Sequence, residues 1–145
     1  MSEQITLTFT VASTDYSVPL GMRVSLNGAV FYENAHVGSE TQIQHQLSDD
    51  DGEHQLSFEL FGKHPDHTKI DDAGNIVSDA MLSILGIEID EIDIDQIAQF
   101  QAVYHHDFNG TQPLQQDKFY GHMGCNGIVQ LKFTTPVYLW LLENM

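Results

Sequence analysis

The sequence predicts an all-β chain, an antiparallel β-sandwich of jelly-roll type, and three observations carry that prediction. Apolar and polar residues alternate in one short run after another, the period of a half-buried strand. Clusters of Gly, Asn and Asp punctuate the runs at turn-like spacing. Helical periodicity is nearly absent: only "DIDQIAQFQAV" permits a turn or two, through Ile94, Ile97, Ala98 and Gln101. Many short strands with frequent turns suit a sandwich better than any layered α/β arrangement. No linker or internal repeat interrupts residues 1–145, so one domain is expected.

In "QITLTFTV", Ile5, Leu7, Phe9 and Val11 share one face and Thr6, Thr8 and Thr10 the other. "LGMRVSLNG" repeats the pattern through Leu20, Met22, Val24 and Leu26, then meets Asn27-Gly28, a strong hairpin signal, and "AVFYEN" returns. "TQIQHQL" alternates through Ile43, His45 and Leu47, and the acidic turn "SDDDGE" leads to "HQLSFELFG" with Leu56, Phe58 and Leu60 inward. Residues 99–126 read as loop with short strands, because glycines and polar residues break any period. The chain then closes with "GIVQLKFTTPVYLWLLENM": Val129, Leu131 and Phe133 face in, Pro136 ends a ladder, and a last strand is expected.

Residues 69–95 hold eight carboxylates and seven isoleucines. The apolar parity slips at Leu85-Gly86, which predicts a β-bulge, and again at Asp90-Glu91, which predicts a tight turn or second bulge. Glu88, Asp90, Asp93 and Asp95 then fall on the solvent side. A solvated face accounts for most of these acids. Calcium is the sharper reading: Asp71, Asp72, Asn75 and Asp79 offer oxygen ligands around Gly74, although Ala73 and the early glycine depart from EF-hand spacing. The same "DDAGN" also reads as a plain hairpin turn. Glu88 and Asp90, two apart on one strand, are about 7 Å apart and could in principle pair as glycosidase acids. Any acidic strand offers as much.

His64 and His67 flank Asp66, and His105-His106-Asp107 form a second group; solvent-exposed loop histidines are the favoured reading of both. Cys125 in "HMGCNG" sits near His122, but one cysteine supports neither a disulfide nor a dyad. No nucleophile elbow, Walker loop or dinucleotide fingerprint occurs, so no enzyme is expected.

Charge excludes more than motif does. Twenty-one acids against five bases give a net charge of −16, a surface that repels phosphate and argues against nucleic acid as a partner. It suits cation binding, a basic partner, or a salty medium, where screening shortens to about 3 Å at 1 M. The opening MSEQITLTFT lacks the basic and apolar regions of a signal peptide, and the longest apolar run, VYLWLL, is far short of a bilayer span. A soluble protein with no membrane partner is expected, made in a cytoplasm without a cleaved leader. That same run is apolar at both strand parities, so a strand there must be covered on both faces, by its own domain or by another chain.

The stretch "IVSDAMLSILGIEIDEIDI", followed by "YHHDFNGTQPLQQDKFYGHMGCNGIVQLKFTTPVYLWLLENM", resembles a group of small proteins encoded by marine tailed bacteriophages, notably cyanophages with contractile tails. In that group a DG-x-I-x-D turn leads into I-x-I-D-G-I-D-I, and the chain ends in G-x-N-G-x-x-x-x-x-F-x-(T/S)-P-x-Y-x-W-L-L-E-N. Here Glu91 replaces the usual glycine, and Ala73-Gly74-Asn75 replaces the Asp-Gly turn. The resemblance implies a virion component of tail, baseplate, fibre or head decoration, acting on other virion proteins or as a homo-oligomer, with Tyr138, Trp140 and Leu142 as interface anchors. Residues 79–91 also resemble calcium-dependent xylan-binding modules. That likeness implies an alternative: a calcium-dependent carbohydrate-binding module with Asp71, Asp72 and Asp79 on the ion and Tyr104 or Tyr120 stacking on a glycan.

Overall fold

The computed structural model describes residues 4–15, 18–63, 68–74, 76–106 and 113–144, and the side chains of 68–70 and 76–79 lie outside that description. Among the described residues, thirteen strands and two helices follow the chain as β1 (Gln4–Ser13), β2 (Gly21–Leu26), β3 (Ala29–Asn34), β4 (Thr41–Ser48), β5 (Gly52–Phe61), β6 (Thr68–Ile70), β7 (Ile76–Asp79), β8 (Leu82–Ile89), β9 (Ile92–Asp93), α1 (Asp95–Gln101), β10 (Val103–His106), β11 (Gln115–Lys118), β12 (His122–Met123), β13 (Gly127–Thr135) and α2 (Val137–Asn144). One sheet runs β12-β8-β1-β4 with β9 on β8, a second runs β11-β10-β13-β5-β2-β3, and β6-β7 form a separate hairpin. The described pairings are antiparallel. Because the chain crosses repeatedly from one sheet to the other, the result is the antiparallel β-sandwich that alternation predicts.

Alternation decides which residues meet between the sheets. Leu7, Phe9 and Val11 of β1, Met22 and Val24 of β2, Leu56, Phe58 and Leu60 of β5, and Val129, Leu131 and Phe133 of β13 are all buried in one continuous core. Phe9 and Phe58 meet edge-on across the sandwich, with centroids 5.2 Å apart. The hairpin at Asn27-Gly28 forms as expected, with φ of 54° and 84° at its two residues.

The acidic stretch holds both predicted irregularities. Thr8 pairs with Glu88 but Thr10 with Leu85, so Gly86 and Ile87 together oppose Phe9. This bulge lets Ile84 and Ile87, of opposite parity, both stay buried. It also turns the Gly86 and Ile87 amides out of the ladder, and the Asp95 carboxylate accepts both, at 2.9 and 2.8 Å. Asp90 and Glu91 form the tight β8–β9 turn, each with positive φ (52° and 69°).

One expectation fails. The final apolar segment is not a strand. Pro136 offers no amide to a ladder, β13 ends at Thr135, and Val137–Asn144 coil into α2. Val137, Trp140 and Leu141 are buried, the i, i+3, i+4 stripe of a helix with one covered side. Only one face of this segment needs a cover, where a strand would have needed two.

Candidate functional site

The terminal helix is the most unusual surface of the molecule, and the sequence around it explains how it is held. Its first amide, that of Val137, donates to the Asp49 carboxylate at 2.8 Å, so an acid of the "SDDDGE" turn caps the helix from outside it. Thr135, just before Pro136, donates its hydroxyl to the Asp50 carbonyl and lies 3.0 Å from His54 Nε2. At the other end Asn144 bonds the Gln101 side chain of α1 and donates to the Trp140 carbonyl at 2.7 Å. Tyr138 donates its hydroxyl to Asp90 in the β8–β9 turn.

Held in this way, α2 divides its apolar residues between two sides. Trp140, 5% exposed, packs inward with its ring edge-on to Phe133, centroids 5.9 Å apart. Tyr138, Leu139 and Leu142 point outward at 49%, 59% and 73% exposure. Spacings of three and four residues place Leu142 beside both of the others on one helical surface. Phe100 of α1 adds a 74% exposed ring, next in the chain to the Gln101 that bonds Asn144. Of the three expected anchors, Tyr138 and Leu142 are therefore presented to solvent and Trp140 is not: it fastens the helix to its own domain.

The expected calcium ligands are not gathered. Asp71 and Asp72 are exposed in the β6–β7 turn, where the Asp71 carboxylate accepts the Ala73 amide at 3.0 Å and the Asp71 carbonyl accepts Gly74. Asp79 pairs with Thr68 at the opposite end of that hairpin. Asn75 lies outside the described residues. Among the described residues no group of three or more His, Cys, Asp or Glu is placed to hold a metal ion.

The remaining candidates separate too. Glu88 sits on β8 opposite Asp93, whereas Asp90 belongs to the turn and is engaged by Tyr138, so the two do not form a pair on one strand face. His64, Asp66, His67 and Asp107 lie outside the described residues. His105 and His106 face opposite sides of β10, as adjacent strand residues must, and buried His106 bonds Asp117 at 2.5 Å. Tyr104, expected to be open for stacking, is buried instead. Its hydroxyl donates to the Cys125 carbonyl and accepts the Cys125 amide at 2.9 Å, and burial pushes its pKa well above the ordinary phenol value. Tyr120 is exposed. The capping acid Asp49 and the clasping acid Asp95 are the working carboxylates that sequence reasoning missed, and the only sequence hint of either was its position beside a turn or bulge. Among the described residues no helix is long and apolar enough to cross a membrane.

No family model matches the chain, and no curated protein does. Two solved structures are similar. One is the selenomethionine form of vCBM60, from a study of a circular permutation linking two families of calcium-dependent carbohydrate-binding modules. It has a TM-score of 0.51 at 11% identity, covering 88% of this chain and 89% of that one. The other is vCBM60 in complex with galactobiose, with a TM-score of 0.47 at 12% identity, covering 87% and 96%. At such identity the first is a likeness of fold, and it agrees with the sandwich described above.

Proposed function

We propose that this chain is a structural or attachment component of a bacteriophage particle, acting by protein–protein assembly through the outer face of α2. The observation that carries the proposal is the contiguous exposed surface of Tyr138, Leu139 and Leu142 on a helix whose opposite side is locked to the domain. Exposed large apolar residues grouped on one rigid element, rimmed by acids and amides, are what a subunit contact looks like before its partner arrives. The similarity of the C-terminal sequence to marine phage proteins supports the particle as the setting, and a charge of −16 suits a body that works in salt. No catalytic step belongs to this reading. The test is solution mass by size exclusion with light scattering. An oligomer, or a complex with another virion protein, that Leu142→Ser abolishes without lowering the melting temperature supports the reading. A monomer that binds no virion protein, with or without the substitution, sinks it.

A second reading, a carbohydrate-binding module, is favoured by the shared fold with the first vCBM60 structure, which is described as calcium-dependent. In that reading Tyr120 is the exposed stacking ring, and calcium would engage the acidic turn at Asp71 and Asp72. A rise in melting temperature on adding calcium, lost in Asp72→Asn, would favour it; an unchanged melting temperature would remove calcium from the account.

A further inference from the structure

We infer that the outer face of the six-stranded sheet is a binding groove for a neutral, extended polysaccharide, and that it needs no metal. This rests neither on assembly through α2 nor on the acidic turn. The strand register lays the outward residues in rows that run across the strands. One row reads Lys118, Val103, Gln130, Ser57 and Ser25 from β11 to β2. The next reads Gln116, His105, Ile128, Glu59 and Arg23. Two cavities of about 680 and 520 Å³ lie along this face and share His105 and Gln130. Their linings span the neighbouring strands β11, β10, β13 and β5, and at the usual strand spacing of about 4.8 Å four strands give a trough of about 14 Å. That suits a chain ligand better than a compact one.

The lining tells which chain. Gln116 and Gln130, which line these cavities, each carry two donors and an acceptor. Vicinal hydroxyls of a sugar use both roles. Ile128 and the exposed Leu114 supply apolar surface for sugar C–H faces. The Phe61 ring lies so close over Gly21 that a Cβ there would come within 2.3 Å of it, so the glycine is what lets the ring lie down on the sheet. A protein interface would instead be expected to have an apolar, uncharged centre, which this face lacks.

Charge selects further. Arg23 is bound by Glu33 and Glu59, at 2.9 and 2.8 Å, and stands over Phe61 at 4.9 Å. With Lys118 and Lys132 against Glu53, this face holds three bases and three acids, while the whole chain carries −16. The groove is thus a neutral strip on an acidic body. An anionic polymer is repelled by the body, and a cationic one is drawn to the acids elsewhere.

The test is affinity electrophoresis of the full chain in EDTA through gels holding xylan, galactan, mannan or mixed-linkage glucan, with alginate as the anionic polymer. At least one neutral polymer should retard the protein and alginate should not. Gln130→Ala and Gln116→Trp, the second of which fills the cavity it lines, should each weaken that affinity at least tenfold with the melting temperature retained. Leu142→Ser should leave it unchanged, so failure here is separate from failure of the assembly reading. The inference is overturned if no neutral polymer binds, if binding requires calcium, if alginate alone binds, or if Gln130→Ala, the mildest change, binds as the wild type does.

Discussion

β13 and α2 are neighbours in sequence, divided only by Pro136, yet one is a strand with one face in the sandwich core and the other a helix with one wet face. In β13 every second residue is polar, and Val129, Leu131 and Phe133 are buried while Gln130, Lys132 and Thr134 are not. In α2 six apolar residues run together, so position alone cannot tell which face is covered. The difference teaches where stability and partner contact separate. β13 turns its large apolar residues Val129, Leu131 and Phe133 to the core; α2 divides its apolar side chains between holding on to the domain and facing outward.

The largest effect should come from the strand. Phe133→Ala empties a buried site that meets both the His54 ring and Trp140, and chemical denaturation should show a loss of about 4–5 kcal/mol. Trp140→Ala removes the helix's own anchor. It should cost about 3 kcal/mol, the lower end of the range for large aromatics, because the end of a terminal helix can settle into the space. If the helix variant proved the costlier, α2 rather than the strand would be the keystone of this end of the sandwich.

This contrast also marks what was legible. The β1, β2, β5 and β13 faces could be read because polar residues at alternate positions allow only one burial pattern, and the Leu85-Gly86 bulge because Ile84 and Ile87 cannot both face in without an extra residue. VYLWLL lacked that internal contrast: a continuous apolar run fits a doubly covered strand and a buried helix stripe equally. The helix is capped by Asp49, distant in sequence, whose carboxylate accepts the Val137 amide. The calcium candidates are spread along the hairpin for a similar reason. Asp79 is near Asp71 in number, but β6–β7 pairing carries it to the hairpin's far end. Tyr104 was misplaced because a loop-like context hid the β10–β13 pairing that turns it inward.

Tyr104 sharpens the strand side of the comparison, since it lies opposite Val129 of β13. Burial raises its pKa above the unfolded phenol value, so the folded state holds the neutral form. Its contribution is complete below the ordinary value of about 10 and is lost as pH climbs beyond it. Between about pH 9 and pH 11 the wild type should therefore lose more melting temperature than Tyr104→Phe does. At neutral pH the phenylalanine variant should be the weaker by about 1–3 kcal/mol, because the Cys125 amide loses its acceptor. On the helix side, Asp49→Ala should cost about 1 kcal/mol, the usual value of a lost cap. The mutant should also lose far-UV helical signal before the sandwich melts, provided the cap is what holds the first turn.

Leu142→Ser should have the smallest effect on stability and the most telling one on association. Leu142 is 73% exposed, so replacing it should change stability by no more than about 0.5 kcal/mol. If the outer face of α2 is a subunit contact, the same change removes a central apolar group and puts a hydroxyl where the partner expects none. Interfaces concentrate their energy in a few such residues, so a loss of about 2 kcal/mol or more in association is expected. Light scattering on the mutant, set beside its melting curve, reads the two effects separately. An assembly that survives Leu142→Ser would mean that the exposed face of α2 is only the solvent side of a helix whose purpose is to close the sandwich over Phe133.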